Sequence, residues 1–265
     1  MENNCCDKIE DRSFEIDQTE AVENRYRSAA NYKEKCLCMP VPFNSDYLRA
    51  IPDSIVERDY GCGDPTLWVK KGDRVLDLGS GSGKNAFICS QVVGPSGYVL
   101  GIDRNEEMLS LSRKAIMEFS KNIGYQNIDF IKSSIECIDD LNEKDQPIVK
   151  DSSFDIILSN CVLNLVNPKS RIKLLKNIKR VLRPNGRIAI SDIVSNKKVS
   201  IELQKDPELW SGCISGAWQE DEFINDFLKL GFYDLTFADR SKEPWKIIDD
   251  IEFRSVTLVG KLRSN

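Results

Sequence analysis

From Arg74 onward, short apolar runs alternate with segments of helical periodicity, and this alternation restricts the fold more than any other feature of the chain. The runs lie at 75–78, 99–102, 128–131, 154–158 and 187–190. Because they are short and almost continuously apolar, they predict strands that are buried on both faces. Strands that alternate with helices indicate an α/β fold, a doubly wound parallel sheet with helices on both faces.

Two helices between these strands are predicted by apolar residues three or four positions apart, namely Met108, Leu111, Ala115 and Phe119 in the first, and Ile172, Leu175, Ile178 and Leu182 in the second. The second helix also has end signals. Asn167 can cap its first turn, Pro168 suits its first position, and the Pro-Asn-Gly sequence at 184–186 ends it.

The part of the chain before the sheet divides into two segments. Residues 1–25 are rich in Glu and Asp and predict a flexible arm, whereas 26–72 contain aromatic and Pro-containing stretches that predict a lid or cap of short helices. The sheet domain then spans 73–265. The longest uncharged stretch, 85–102, contains Pro and Gly, so no membrane-spanning helix is expected. The first residues lack a basic region followed by an apolar one, which predicts a cytoplasmic protein without a signal peptide.

Composition removes several classes of chemistry. The chain of 265 residues contains no His, which excludes Ser-His-Asp and Cys-His catalysis and His-ligated metal sites. Its net charge of −5 argues against a nucleic-acid partner, because phosphate neutralisation needs an excess of Lys and Arg. Nine Cys in a cytoplasmic chain are expected to be reduced thiols. The chain is therefore expected to act on a small molecule.

A glycine loop follows the first predicted strand. Gly79, Gly81 and Gly83 are preceded by Asp77, and a second acid, Asp103, follows the next strand. Glycines allow a ligand to approach the backbone, and an acid after the second strand can bind the hydroxyls of a ribose. The same features occur in NAD enzymes, but Asp77 would repel a pyrophosphate and would suit a cationic ligand instead.

Three cysteines stand where functional residues are expected. Cys62 precedes the first strand, whereas Cys161 and Cys213 follow the fourth and fifth, where the cleft of an open α/β sheet lies. Three thiolates in one place would form a soft site for trivalent arsenic. For Cys161 the alternative to a functional role is simple burial in the core. A structural zinc site formed by Cys36, Cys38, Cys62 and Cys213 is an alternative to the arsenic site, but the sequence lacks the C-x-x-C pairs that usually build one. Cys89 and Cys137 are predicted to pack in the core.

The segments at 58–63, 76–83, 159–165, 191–192 and 209–217 resemble the arsenite methyltransferases, a family of class I S-adenosylmethionine-dependent methyltransferases. The resemblance runs from about Tyr26 to Leu262 and implies a Rossmann-like sheet with an N-terminal lid. It implies that Cys62, Cys161 and Cys213 bind arsenic(III), and that Cys36 or Cys38 takes part in a disulfide relay. The residues expected to bind S-adenosylmethionine are Tyr60, Asp77, Gly79, Ser80, Gly81, Gly83, Asp103, Arg104, Met108, Ile135, Glu136 and Asn160.

The expected activity is methyl transfer to arsenite or its thiol conjugate, with glutathione or thioredoxin as the thiol reductant and no nucleic-acid or membrane partner. Two alternatives remain. A methyltransferase acting on a quinone-type or sterol-type carbon would share the glycine loop but would have no use for three converging thiols. A non-catalytic metalloid binder would use the thiols without consuming the cofactor.

Overall fold

The computed structural model describes residues 20–27, 41–58 and 60–264. Its centre is a sheet whose first five strands are parallel and follow the order β3-β2-β1-β4-β5. These strands are β1 (Arg74–Leu78), β2 (Tyr98–Asp103), β3 (Ile128–Lys132), β4 (Phe154–Asn160) and β5 (Leu182–Ser195). Each contains one of the five predicted runs, so the predicted parallel strands are confirmed.

Neighbouring residues of β1 enter two different cores, because successive side chains in a strand point to opposite faces. Leu76 and Leu78 pack in the core on one face of the sheet, and Val75 packs in the core on the other. All three are fully buried. The sheet is therefore covered on both sides, as the continuous apolar runs indicated.

Three long helices connect the parallel strands, α4 (Lys84–Val93), α5 (Glu106–Ile123) and α6 (Pro168–Val181). The predicted start of α6 is confirmed, since the side chain of Asn167 accepts a hydrogen bond from Lys169 N and Pro168 is the first residue. The helix ends at Val181, before the Pro-Asn-Gly sequence. The prediction for Ile172 is wrong. Its side chain is 66% exposed because it lies beyond the edge of the buried stripe.

An antiparallel extension makes the sheet mixed rather than wholly parallel. After β5 the order continues through β9 (Ile251–Leu262) to β7 (Phe232–Arg240), and both pairings are antiparallel. Two short strands, β6 (Trp218–Gln219) and β8 (Lys246–Ile248), pair with β5 and β9. The helix α9 (Glu220–Lys229) precedes β7.

Short helices make up the rest of the described structure. A helix at 20–27, α1, crosses the predicted boundary between the arm and the lid, and α2 (Ser45–Leu48) and α3 (Asp53–Val56) lie in the predicted lid. α7 (Ile201–Gln204) and α8 (Pro207–Ser211) follow β5, and 3-10 turns lie at Pro65–Trp68, Ile135–Cys137 and Leu163–Leu165. Cys36 and Cys38 lie outside the described residues. Within the described ranges, no helix has the length and apolar character needed to cross a membrane.

Candidate functional site

An open cleft lies at the carboxyl ends of β1, β2 and β4, the edge where open α/β sheets bind ligands. The glycine loop turns there because Gly79 N and Ser80 N both donate to Ile102 O, at 2.8 and 2.9 Å. Gly81 has a φ of +53°, and none of the described residues outside its chain neighbours has an atom within 4 Å of the position a Cβ would take. The loop therefore presents its backbone to the cleft without a side chain in between.

Ten of the twelve residues expected to bind the cofactor line this cleft: Tyr60, Gly79, Ser80, Gly81, Asp103, Arg104, Met108, Ile135, Glu136 and Asn160. Asp77 and Gly83 are absent from its lining. Asp77 is buried on β1 beneath the loop, and Gly83 caps α4, where a Cβ would lie 2.7 Å from the ring of Phe130. These two residues therefore support the loop from behind.

Two carboxyls determine the electrostatics at the cleft, Asp103 in its lining and Asp77 buried beneath the glycine loop. Asp103 Oδ2 accepts a hydrogen bond from Gly81 N and Oδ1 accepts one from Asn105 N, both at 2.8 Å. Burial, together with the charge of Asp103, raises the pKa of Asp77 to about 7. A cationic group bound beside the loop would stabilise both carboxylates in their charged form.

Three buried polar atoms near the glycine loop have no hydrogen-bond partner among the described residues, Asp77 Oδ2, Ser80 Oγ and Asn85 Oδ1. Buried polar atoms are normally hydrogen-bonded, so such a group indicates where a ligand supplies partners. The two acceptors and the hydroxyl suit the ammonium and carboxylate of an amino acid. The chemistry of this corner therefore fits the methionine part of S-adenosylmethionine.

The three cysteines expected to bind arsenic lie in one buried cluster. Cys161 directly follows β4 and lines the cleft, and its sulfur lies within 4.8 Å of the sulfur of Cys62. Cys213 Sγ also lies 3.2 Å from Cys161 O. The fold thus brings together residues that are about 50 to 150 positions apart in the chain.

Cys161 and Cys213 both have left-handed backbone conformations, with φ values of +58° and +62°. Such φ values are uncommon for residues other than Gly, Asn and Asp, and they cost of order 1 kcal/mol or more. The surrounding structure therefore holds both thiols in orientations that a relaxed backbone would not favour.

The environments of Cys161 and Cys213 favour the protonated thiols. A hydrogen bond with Cys213 lowers the pKa of Cys161, but its hydrogen bond with Cys62 and its burial outweigh this and raise the pKa well above its usual value. The hydrogen bond to Cys161 and burial likewise raise the pKa of Cys213. These thiols therefore carry their protons at neutral pH until a thiophilic ligand displaces them.

Two asparagines near Cys161, Asn160 and Asn164, hold the loops that carry Cys62 and Cys213. Asn160 Oδ1 accepts from Cys62 N at 2.9 Å and its Nδ2 donates to Gly63 O at 2.8 Å. A Cβ at Gly61 would lie 2.5 Å from Asn160 Nδ2, so this close approach requires glycine. Asn160, expected only to contact the cofactor, thus also fixes the loop that carries Cys62.

Asn164 makes the corresponding contact with the third loop. Its Nδ2 lies 2.8 Å from Asp192 Oδ1, 2.6 Å from Ile193 O and 3.3 Å from Cys213 O. A Cβ at Gly216 would lie 1.9 Å from Asn164 O, so the loop after Cys213 packs directly against this residue. Neither asparagine has a signal in the sequence other than its position beside Cys161.

Asp192 is a further buried acid that the sequence left without a role. A carboxylate oxygen of Asp192 and the sulfurs of Cys62 and Cys161 all lie within 4.8 Å of one another. Burial raises the pKa of Asp192 to about 7, although its backbone donor Ile193 and the charge of Arg171 act in the opposite direction. Its sequence signals are its place in the resembling segment 191–192 and its position two residues after the apolar run at 187–190, close to the placement of Asp103 after its own run.

The helix α1 forms one wall of the cleft. Val22, Glu23 and Tyr26 line it, and the rings of Tyr26 and Tyr60 meet edge to face with centroids 6.5 Å apart. The carboxylate of Glu23 lies 2.7 Å from the guanidinium of Arg104. The only sequence signal for this helix is the four-residue spacing of Val22 and Tyr26, within a segment that otherwise has the composition of a flexible arm.

The two cysteines predicted to pack in the core do so. Cys89 is fully buried in α4 and belongs to the core on the face of the sheet where Val75 of β1 packs. Cys137 is buried in the 3-10 turn at Ile135–Cys137, with Lys173 Nζ 3.7 Å from its sulfur. The competing zinc site included Cys36 and Cys38, which lie outside the described residues.

Comparison with known proteins places these features in a family. The family model for the methyltransferase domain matches residues 69–231. The arsenite methyltransferase of Aquipseudomonas alcaligenes is 32% identical over 223 residues, which cover 81% of this chain and 62% of that protein. The human arsenite methyltransferase is 32% identical over 227 residues, which cover 82% of this chain and 58% of that protein. The chain therefore spans about three fifths of the length of these curated relatives.

A solved structure agrees with the sequence matches. The crystal structure of an arsenic(III) S-adenosylmethionine methyltransferase from Chlamydomonas reinhardtii superposes with a TM-score of 0.73 and 30% identity, covering 85% of this chain and 75% of that one. The order of the parallel strands and the glycine loop confirm the predicted Rossmann-like fold. The chain therefore belongs to the class I S-adenosylmethionine-dependent methyltransferases, in the family of the arsenite methyltransferases.

Proposed function

We propose that the protein transfers a methyl group from S-adenosylmethionine to trivalent arsenic held by Cys62, Cys161 and Cys213. The observation that carries this proposal is the position of Cys161, which lines the cleft, has its sulfur within 4.8 Å of the Cys62 sulfur and accepts a hydrogen bond from the Cys213 thiol at its carbonyl oxygen. A methyl acceptor bound to Cys161 would therefore sit at the border between the cofactor cleft and the thiol cluster.

The cleft residues bind and orient the cofactor in this proposal. Gly79 and Gly81 let the backbone approach it, Asp77 and Asp103 attract its cationic part and its ribose, and Ile135 with Glu136 borders the adenine. When bound, S-adenosylmethionine supplies a methyl group on a positively charged sulfur. Residues around it need only hold the acceptor in line with that group, which is catalysis by orientation.

The thiols bind arsenite by exchange. Each thiol gives its proton to a departing hydroxide, so that three thiols and one arsenite yield three arsenic–sulfur bonds and three waters; a thiol conjugate would release three thiols instead. Because the protons leave with the departing groups, no separate general base is needed, in agreement with the absence of His. Arsenic retains a lone pair that would form the bond to the methyl carbon, while the carbon–sulfur bond breaks and its electrons stay on the departing thioether. Arsenic would then be formally pentavalent, and two electrons from a thiol reductant such as glutathione or thioredoxin, which becomes a disulfide, would return it to the trivalent state.

The test is an incubation of the full-length protein with labelled S-adenosylmethionine, glutathione and arsenite, followed by separation of arsenic species. Cys62→Ser, Cys161→Ser and Cys213→Ser should each nearly abolish methylation of arsenite, because a hydroxyl is a poor ligand for a soft centre. Cys89→Ser and Cys137→Ser are the matched controls and should change stability only. Cofactor binding should persist in all five variants.

Two outcomes would favour the alternatives. Transfer of label to a quinone-type or sterol-type compound, with none to arsenic, would indicate a carbon acceptor. Tight binding of arsenite without consumption of cofactor would indicate a metalloid binder. If all five variants methylate arsenite at the rate of the unaltered protein, the thiol site is wrong.

A further inference from the structure

The thiol cluster contains a carboxylate that binding of arsenic leaves unused. Trivalent arsenic is satisfied by three sulfurs, and the product of three thiolates and one As(III) is neutral. Asp192 nevertheless lies beside two of these sulfurs, and its oxygen and the sulfurs of Cys62 and Cys161 are all within 4.8 Å of one another. All three side chains are at most 7% exposed.

Two sulfurs and one carboxylate oxygen are a ligand set for a divalent cation. Tetrahedral zinc sites have Zn–S distances of about 2.3 Å and Zn–O distances of about 2.0–2.2 Å, which separate the ligand atoms by about 3.6–3.8 Å. The observed separations, at most 4.8 Å, need a contraction of about 1 Å at the most. We propose that Cys62, Cys161 and Asp192 bind a thiophilic divalent cation, Zn²⁺ or Cd²⁺, with the thiol of Cys213 beside the fourth coordination position.

The surroundings of Asp192 resemble the outer shell of a metal site. Asn164 Nδ2 and Ile193 N both donate to Oδ1 at 2.8 Å, so the carboxylate is held in one orientation. Hydrogen bonds of this kind orient the ligands of metal sites. Asn160 Oδ1 accepts from Cys62 N at 2.9 Å and orients the second ligand in the same way.

The charges also balance. Binding releases the two thiol protons to solvent, and two thiolates, one carboxylate and the cation then sum to −1. The guanidinium of Arg171 acts electrostatically on Asp192 and offsets this charge. Arg171 is itself fixed, over the ring of Trp218 at 3.7 Å.

The cation and arsenic would share Cys62 and Cys161 but differ in the third ligand, Asp192 for the cation and Cys213 for arsenic. A bound cation would therefore exclude arsenite from the same thiols. Inhibition of arsenite methylation by Zn²⁺, competitive with arsenite, rests on the proposed function, whereas binding of the cation does not.

The experiment titrates the reduced full-length protein with Cd²⁺, using a phosphine reductant, and follows the cadmium–thiolate charge-transfer band. It is repeated with Cys5, Cys6, Cys36 and Cys38 changed to Ser, which removes the thiols outside the described residues. Asp192→Asn keeps the size of the side chain and an acceptor for Asn164, and should weaken Cd²⁺ binding about 10-fold or more while arsenite still binds. Cys213→Ser should show the reverse, with the dissociation constant for Cd²⁺ changed only a few-fold and arsenite binding lost.

Cys137→Ser is the matched control, because Lys173 links that buried thiol to the carboxylates of Asp139 and Asp140, and its affinity for Cd²⁺ should be unchanged. Unaltered Cd²⁺ affinity in Asp192→Asn would overturn the proposal.

A second measurement, X-ray absorption at the zinc edge of the unaltered protein with Zn²⁺ added, does not depend on the folding of a variant. At least one oxygen ligand beside sulfur is expected, and a shell of four sulfurs would overturn the assignment of Asp192. A protein that binds Cd²⁺ as described but methylates no arsenic would refute the proposed function alone.

Discussion

At the scale of single residues, the most informative group is the carboxyl of Asp77, which is buried at the end of a strand with one oxygen unpartnered. Burial and the charge of Asp103 raise its pKa from 3.8 to about 7. Between these two pH values the folded protein holds more protons than the unfolded chain, so the contribution of Asp77 to the free energy of unfolding falls as the pH rises. Above pH 7 that contribution stays low.

Asp77→Asn should therefore stabilise the protein without ligand at pH 8 and leave it close to the unaltered protein at pH 4. A shift of about three pKa units corresponds to a difference of about 4 kcal/mol at pH 8. Urea unfolding at the two pH values measures this difference. Asp103→Asn is the control. Because it removes only the neighbouring charge and leaves Asp77 buried, it should recover only a part of the difference of about 4 kcal/mol that is expected for Asp77→Asn. A variant that is less stable than the unaltered protein at pH 8 would contradict the assigned pKa.

The two asparagines beside Cys161 give a second prediction at this scale. Asn160→Ala removes partners from Cys62 N and Gly63 O, and each unpaired buried backbone group costs about 1–3 kcal/mol. Because the loop that carries Cys62 is then free to move, the variant should reproduce the loss of arsenite methylation in Cys62→Ser. Cys161 and Cys213 can still bind a monomethylated substrate, so its turnover should fall less.

Asn164→Ala is the matched comparison, since it loosens the loop of Cys213 instead. Asn164→Ala should lower the rate of methylation of both arsenite and the monomethylated substrate. The ratio of the two methylation rates, measured at equal fractions of folded protein, distinguishes positioning of a thiol from a general loss of stability. Equal ratios in the two variants would contradict separate roles for the asparagines.

At the scale of elements, α1 forms part of the cleft through a small set of contacts, which include the buried Val22 and hydrogen bonds from the Arg25 guanidinium to Glu208 O and Ser211 Oγ. Its ion pairs Glu23 to Arg104 and Arg27 to Glu107 are both solvent-exposed, and such pairs contribute about 0–1 kcal/mol each. A helical segment this short has little stability of its own. We therefore expect α1 to open locally when the cleft is empty and to close over bound ligands.

Hydrogen exchange tests this expectation. Amides at 20–27 should exchange rapidly in the protein alone and more slowly with S-adenosylmethionine and arsenite present, because the bound ligands add contacts for α1. The helix α6 (Pro168–Val181) is the internal control and should be unaffected. Equally slow exchange at 20–27 in both states would rule out a closing lid.

At the scale of the whole molecule, ligand binding at the carboxyl edge is linked to unfolding, because the cleft exists only in the folded sheet. S-adenosylmethionine at 100 times its dissociation constant should stabilise the protein by about 2.7 kcal/mol. For a chain of this size, that raises the melting temperature by about 5–10 °C. Asp103→Ala should lose most of this shift at the same ligand concentration. An undiminished shift would show that Asp103 does not bind the cofactor.

The sequence alone determined the parallel half of the sheet, the capped start of α6, and the glycine loop between two acids. The strand boundaries agree to within two residues except for β5 (Leu182–Ser195), which extends five residues beyond the predicted run at each end. These features are local. A buried parallel strand is a continuous apolar run, and a helix start or a tight turn depends on the residues at that point. The antiparallel strands β7 and β9 escaped detection because polar and apolar residues mix along them. In β7, for example, Asp234, Thr236 and Asp239 interrupt the apolar residues.

Only the tertiary structure decided which distant side chains share a site. The sequence placed Cys161 and Cys213 at one edge of the sheet, but it gave no distance between them and no sign that Asp192 lies beside Cys62 and Cys161. These contacts depend on the asparagines that join three separate loops and on backbone conformations at Cys161 and Cys213 that their residue types do not favour. Local propensity carries no information about such conformations, because they exist only where packing of the rest of the chain stabilises them.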